Sequence, residues 1–352
     1  MYKFRRKIPH ISNNVSDNSQ VSIIIPARDE EHNLAQLLSS IHHKNQYDII
    51  VMNDASSDRT KAVAECYNVR VYDVSNDSTW KGKSHACFEG ATFARGSLLL
   101  FLDADVMLTD AFSIDRLCEQ YKVQQSKGIL SVQPYHVIQN WYENISAIFN
   151  LMTIVGMNIF SITKGKKGTK SAFGPILLTN KADYKEVQGH LNAKNEIIEG
   201  FALSKAYNDA NMPVEMFEGE GIANFRMYPQ GFKALIEGWS KHFALGSMIT
   251  KRSTMSLIFI WLMGSVLSTL LILASTQLNA VSIIFSIIVY VIYTFQFYLL
   301  IRRTGNFFFI ASVFHPILFM FFLAIFTKSW IDINIFKKII WKEREITFKN
   351  KK

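Results

Sequence analysis

Leu98-Leu-Leu-Phe-Leu-Asp103-Ala-Asp105 decides how this chain is read. Its apolar run is too short for an independent helix and suits a strand buried on both faces. The two carboxylates stand two apart at the strand's end, where side chains at i and i+2 point to the same side. Such a pair can share one divalent cation, and its hard oxygens suit Mg2+ or Mn2+. A solvated turn is the other role open to an isolated Asp-x-Asp, so its surroundings decide.

Upstream, Val21-Ser-Ile-Ile-Ile25, Asp48-Ile-Ile-Val-Met52 and Val69-Arg-Val-Tyr72 are further short apolar or β-branched runs. Between them lie Leu34, Leu37, Leu38 and Ile41 at helical spacing, then Asp58 to Tyr67, then Lys83 to Ala94 closed by Gly96. Strands alternating with helices predict right-handed crossovers and a doubly wound α/β sheet. Such sheets bind ligands beyond the carboxyl ends of their strands. Polar residues gather at three of those ends: Pro26-Ala-Arg-Asp-Glu-Glu31, Asn53-Asp-Ala-Ser-Ser-Asp58 and Asp103-Ala-Asp105. No glycine-rich fingerprint follows the first strand, which argues against a dinucleotide-binding domain.

Downstream the composition changes. Residues 255–275 and 280–301 carry no charge and are long enough to cross about 30 Å of hydrocarbon as helices. A third apolar stretch, 307–327, is interrupted by His315-Pro316, which predicts a kinked span or a re-entrant hairpin. Lys241, Lys251, Arg252 and Arg302-Arg303 flank these stretches, so the positive-inside rule puts the preceding domain in the cytoplasm. A third full crossing would carry Lys337, Lys338, Lys342 and Arg344 outside, against the same rule. Ile145 to Phe160 is apolar but short for a span. It suits either the membrane interface or the core of the soluble domain.

The net charge of +9 is concentrated at Tyr2 to Lys7, Lys164 to Lys170, beside the apolar stretches and in the tail. That distribution favours anionic lipid over nucleic acid as counter-charge. The basic start lacks the apolar region of a signal peptide. Cys66, Cys87 and Cys118 are odd in number, lack metal-ligand spacing and read as buried thiols in a reducing compartment. The apolar stretches contain no carboxylate or lysine, which disfavours a channel or transporter.

Taken in order, the three polar strand exits resemble the inverting family 2 glycosyltransferases, over roughly Val21 to Lys241. The resemblance implies a Rossmann-like A-type glycosyltransferase domain followed by C-terminal transmembrane helices. It implies that Pro26, Ala27 and Glu30 line a uridine pocket and that Asp54 accepts a hydrogen bond from the uracil N–H. A helix cap is the other role open to Asp54. Lys83, at a helix start, would face the diphosphate or base. Asp103 and Asp105 would hold Mg2+ or Mn2+ across the phosphates, where the cation acts as a Lewis acid on the leaving group.

Ile197-Ile-Glu-Gly200 stands where the family has Glu-Asp, whose Asp is the general base. Gly200 replaces that Asp, leaving Glu199 as the only carboxylate of the pair and the candidate catalytic residue; a helix-capping or structural role is the other one open to it. A carboxylic acid acceptor, ionised at pH 7, needs no base. The family's Gln-x-x-Arg-Trp motif is not reproduced; Arg226, Trp239 and Lys241 are the nearest candidates for closing over diphosphate or acceptor.

A closer resemblance is carried by Lys127-Gly-Ile-Leu-Ser-Val-Gln-Pro-Tyr-His136, Ser146 to Thr153, Gly156-Met-Asn158, Phe225-Arg-Met-Tyr228 and Gly238-Trp-Ser-Lys-His242. These resemble the 4,4'-diaponeurosporenoate glycosyltransferases of staphyloxanthin-type carotenoid biosynthesis. The resemblance implies glucose transfer from UDP-glucose to the carboxyl of a lipid-soluble carotenoid acid by a multi-pass cell-membrane enzyme. Another lipid acceptor, such as a polyprenyl phosphate or hydroxylated lipid, stays open, as does a non-catalytic membrane scaffold. The expected divisions are a basic segment 1–20, a catalytic domain 21–250, a membrane region 255–327 and a basic tail 328–352.

Overall fold

The computed structural model describes residues 6–9, 20–41, 47–75, 80–157, 171–194, 199–249, 252–335, 338–341 and 344–347. The strands are β1 (Val21–Ala27), β2 (Asp48–Asn53), β3 (Arg70–Asp73), β4 (Leu98–Leu102), β5 (Val106–Leu108), β6 (Ile129–Gln133), β7 (Ile176–Asn180), β8 (Val214–Glu218) and β9 (Ala223–Phe225). Seven of them form one sheet in the order β3-β2-β1-β4-β7-β6-β8. Parallel pairing aligns Ile23 with Ile49 on one side and with Leu100 on the other. β7 runs antiparallel to both neighbours, Leu178 standing opposite Leu100 and Leu130. β5 and β9 pair antiparallel in a separate three-stranded sheet that Tyr135–His136 completes.

The helices of this part are α1 (Glu31–Ile41), α2 (Thr60–Glu65), α3 (Lys83–Phe93) and α4 (Ser113–Val123), followed after α5 by α6 (Lys181–Glu186) and α7 (Glu199–Asp209). They cover both faces of the sheet, and this explains why the strands read as unbroken apolar runs. Ile23, Ile25, Leu100 and Leu102 pack with Leu34, Leu37 and Leu117 on one face. Ile24, Leu99 and Phe101 pack with Ala86, Cys87, Leu203 and Tyr207 on the other. Each fully buried Ile or Leu contributes roughly 1.5–3 kcal/mol of transfer free energy.

α5 (Ser146–Gly156) and α8 (Phe232–Ile249), α9 (Arg252–Ser275), α10 (Ala280–Ile301), α11 (Phe309–Val313) and α12 (His315–Asn334) belong to a second unit. This unit lies within 136–162 and 226–352, and the sheet unit within 4–135 and 163–225. The division therefore differs from the linear boundary near 250. Residues 136–157 leave the sheet because α5 is apolar almost all round and packs against α8, α9, α10 and α12. Ile145 to Gly156 thus packs within the helical unit rather than in the sheet unit. Asn158 to Phe160 and Lys164 to Lys170 lie outside the described residues.

Ser253–Ser275 and Ala280–Ile301 are long and apolar enough to cross a membrane and leave most of their surface uncovered. The stretch 307–327 is not one helix. α11 ends at Val313, and α12 starts at His315 with Pro316 in its first turn, where the missing N–H costs no helical bond.

The basic start has partners within the sheet unit, and one thiol expectation changes. Arg6 pairs with Glu215 and lies 4.7 Å over the Phe217 ring, while Lys7 pairs with Glu220 at 2.6 Å. These two cations of the basic start are matched by carboxylates of the sheet unit. Cys87 and Cys118 are buried, but Cys66 is exposed because it follows the solvent side of α2.

Candidate active site

The exits of β1 and β2 are laced together. The Asp54 N–H donates to the Ala27 carbonyl at 2.9 Å, and the Arg28 guanidinium lies 3.6 Å from the Asp54 carboxylate. Asp29 accepts from the Ser57 N–H at 2.7 Å, and its own N–H donates to the Ser56 hydroxyl at 3.2 Å. Asp29 and Ala55 both hold left-handed backbone, with φ of 52° and 51°. Strain of this kind concentrates where structure is fixed for binding. The Glu30 carboxylate accepts from Asn33 at 2.6 Å, and its N–H donates to Thr60 at 2.8 Å. Pro26 and Ala27 close β1 directly beside this junction. Asp58, not Asp54, bonds the first turn of α2 through the Thr60 N–H at 2.8 Å, so the helix cap considered for Asp54 is taken.

The next exit carries the charges. Lys83 opens α3, and its ammonium lies 2.7 and 2.8 Å from the two Asp103 carboxylate oxygens. The same ammonium pairs with Glu199, the first residue of α7. Asp105 sits in the turn after β4, close enough to repel the Asp103 charge.

Burial disfavours charge on all three groups, but mutual attraction decides the outcome for two of them. Burial works against the Lys83 ammonium, yet Asp103 and Glu199 raise its pKa above the ordinary lysine value. Burial likewise opposes the Glu199 charge, and Lys83 still holds that carboxyl below the usual range. Asp103 goes the other way: burial, with repulsion from Asp105 and Glu199, pushes it up to about 7 despite Lys83. Lys83 thus holds Glu199 as a carboxylate at the start of α7.

A tight backbone contact underlies this cluster. A Cβ at Gly200 would lie 2.5 Å from the Ala172 carbonyl oxygen and 3.2 Å from the Gly174 nitrogen. A Cβ at Gly174 would in turn meet the Glu199 carboxylate at 2.5 Å. The loop is pinned: the Ala172 N–H donates to Ser204 at 2.6 Å, Phe173 N–H to Ser131 at 2.7 Å, and Asp103 N–H to the Pro175 carbonyl at 2.9 Å. No side chain, and so no aspartate, fits at position 200 without moving backbone.

Among the described residues, no three His, Cys, Asp or Glu side chains gather as a metal-ligand cluster. Asp103 and Asp105 supply two carboxylates, a donor set that fits Mg2+ or Mn2+ completed by phosphate oxygens and water.

The second-tier candidates have other work. Arg226 donates to Glu143 at 3.0 and 2.5 Å, and Glu143 is fully buried and also accepts from the Gln139 N–H at 2.7 Å. Trp239 is buried, donates to Ser146 at 3.0 Å and stacks on Phe149 with centroids 5.1 Å apart. Both side chains are engaged within the helical unit. Lys241 lies on α8, but its side chain falls outside the described residues.

Sequence reasoning missed Arg28, His190 and the close approach of Gly174 to Glu199. Arg28 had only its place beside Ala27 to mark it. Gly174 and His190 act through contacts distant in sequence: the buried His190 ring meets the Tyr184 hydroxyl at 2.9 Å and stays neutral, burial lowering its pKa to about 3.

Residues 22–177 match the family described as "Glycosyl transferase family 2". The 4,4'-diaponeurosporenoate glycosyltransferases of Staphylococcus aureus strains MRSA252 and USA300 are each 45% identical over 332 residues, covering 94% of this chain and 88% of theirs. Glucosyl-3-phosphoglycerate synthase from Mycobacterium tuberculosis, solved with Mn2+, uridine diphosphate and phosphoglyceric acid, gives a TM-score of 0.49 at 12% identity, covering 70% of this chain and 85% of that one. TarS from S. aureus gives 0.41 at 15% identity, covering 64% and 39%.

Proposed function

Because the chain belongs to glycosyl transferase family 2 and is a glycosyltransferase, we propose that it transfers glucose from UDP-glucose to the carboxyl of 4,4'-diaponeurosporenoate. The product is a glucosyl ester formed with inversion at the anomeric carbon. The name of the relatives supports the acceptor class, and the observation that carries the chemistry is Gly200. The site has no room for a base at that position, and a carboxylic acid of pKa about 4–5 has no proton to lose at pH 7.

In this reading Pro26, Ala27 and Glu30 line the uridine pocket, and Asp54 accepts from the uracil N–H. An imide donor between two carbonyls suits a carboxylate partner. Lys83 faces the diphosphate as a fixed cation. Asp103 and Asp105 hold Mg2+ or Mn2+, which supplies Lewis-acid neutralisation of the leaving UDP. Glu199 keeps Lys83 in place and removes no proton. The acceptor carboxylate oxygen forms its bond to C1 as the C1–O bond to UDP breaks, and UDP leaves with the electron pair. No proton changes hands.

The apolar helices α9 and α10 support a multi-pass protein of the cell membrane, with the sheet unit cytoplasmic by the positive-inside rule. A lipid-soluble polyene acid would meet such an enzyme at the interface. No nucleic acid partner is implied. An acceptor competition assay in vesicles tests the reading, offering the C30 carotenoid acid, the corresponding carotenoid alcohol and a polyprenyl phosphate together. Consumption of the acid alone is expected; glucosylation of the alcohol or the phosphate instead would assign another lipid.

A further inference from the structure

We infer that Phe309–Asn334 forms a re-entrant hairpin, entering the membrane from the side on which α10 ends, turning at His315 near mid-depth, and returning to that same side. The inference rests on the membrane reading of α9 and α10. It settles where the chain after residue 327 lies.

Hydrogen bonds between named residues fix the depth of each part. α9 and α10 are antiparallel: the Tyr293 hydroxyl donates to the Trp261 carbonyl at 2.6 Å, and the Ser286 hydroxyl to the Leu271 carbonyl at 3.3 Å. α10 therefore returns to the side from which α9 set out. The loop after it is tied to the segment leading into α5. His136 N–H donates to the Thr304 carbonyl at 2.9 Å, Ile138 N–H to Asn306 at 2.7 Å, and Phe308 N–H to Asn144 at 2.9 Å.

From that level α11 descends. The Val313 carbonyl accepts from the Tyr290 hydroxyl at 2.6 Å, and the His315 ring bonds Ser265 at 2.5 Å. At 1.5 Å per residue, Ser265 lies about 20 Å along α9 from Arg252, and Tyr290 about 17 Å along α10 from Ile301. Both are near the middle of their helices, so the break between α11 and α12 sits near the centre of a core about 30 Å thick. Broken backbone at that depth requires partners other than water. Tyr290 meets one of the freed carbonyls, and Pro316 has no N–H to satisfy.

α12 then retraces α9 in the opposite direction. Trp261 meets Phe319 with centroids 5.3 Å apart, and Phe259 meets Phe326 at 6.1 Å. Further on, the Ser329 hydroxyl donates to the Ser240 carbonyl at 2.6 Å. Ser240 belongs to α8, which precedes the first span, so α12 ends on the side where α9 began. Phe314, Ile317 and Met320 are exposed on this hairpin, at 52%, 65% and 59%. Their partner is the acyl chains of one leaflet, the one on the α8 side.

Labelling with a membrane-impermeant maleimide in sealed vesicles of either orientation tests this. The exposed native Cys66 marks the sheet unit. In a Cys66→Ser background, Gln277→Cys marks the α9–α10 link and Lys351→Cys marks the tail. The hairpin predicts that the 351 thiol reacts from the same side as Cys66, and the 277 thiol from the opposite side. Reaction of the 351 thiol from the 277 side means a third full crossing and overturns the hairpin. Reaction of all three from one side removes the spans themselves, and the hairpin falls with the membrane reading.

Discussion

Gly200→Ala adds a single methyl group where the structure has backbone on every near side. The new Cβ would start 2.5 Å from the Ala172 carbonyl oxygen, against about 3.4 Å for ordinary contact. α7 must therefore retreat by roughly 1 Å, because the loop facing it is held from the sheet side by Ser131 and Asp103, and the Ala172–Ser204 bond to α7 is stretched as it does. Overpacking of this kind costs about 1–3 kcal/mol, while alanine returns up to about 1 kcal/mol of helix propensity. A net loss near 1 kcal/mol lowers Tm by about 2–4 °C for a unit of this size. The larger effect is chemical, since Glu199 begins α7 and retreats with it from Lys83. Losing about 1.4 kcal/mol of transition-state stabilisation reduces kcat/KM for UDP-glucose about tenfold. Thermal unfolding in detergent and steady-state kinetics measure the two effects. Unchanged Tm together with unchanged kcat/KM refutes the reasoning, and higher activity for Gly200→Asp refutes it more sharply.

Four further outcomes follow from the same geometry. Glu199→Gln keeps an acceptor for the Lys83 ammonium and should hold kcat within a few fold, whereas Glu199→Ala raises KM for UDP-glucose; a general base would lose about 10²–10⁴-fold in both variants. Asp103→Asn and Asp105→Asn should each abolish transfer and weaken Mn2+ binding measured by calorimetry. Asp103 has its carboxyl pushed up to about 7, so protons compete with the cation below that pH. The half-saturating metal concentration should thus rise as pH falls from 8 to 6, and a flat profile counts against the assignment. Arg226→Met leaves the buried Glu143 carboxylate without its cation, held by the Gln139 and Asn140 N–H groups, at a cost of about 3 kcal/mol; folded yield should fall, and Glu143→Gln in the same chain should restore much of it without altering KM for UDP-glucose.

The residues proposed for the donor side were legible because they are local. Strand exits follow directly from the runs ending at Ile25, Met52 and Leu102, and Asp54, Lys83, Asp103 and Asp105 stand at or near them in sequence. What eluded the sequence depends on approach between distant segments. Nothing near Gly200 reveals that Ala172 and Gly174 press against it, and nothing near Arg226 reveals a buried Glu143. Nor does anything near Trp239 reveal that it stacks on Phe149 and donates to Ser146. The antiparallel β7 was hidden for the same reason, since an apolar run such as Ile176–Thr179 carries no sign of direction. His315-Pro316 marked the helix break correctly, but its depth follows only from partners on α9 and α10.

Transfer from labelled UDP-glucose in membranes containing this protein, with Mg2+ or Mn2+, the C30 carotenoid acid and an Asp103→Ala control, tests the central claim most directly. The expected result is a labelled carotenoid that releases glucose in mild alkali, as an ester does, and that is missing from the control. Label appearing only in an alkali-stable product, or in another lipid when the acid is present, would contradict it.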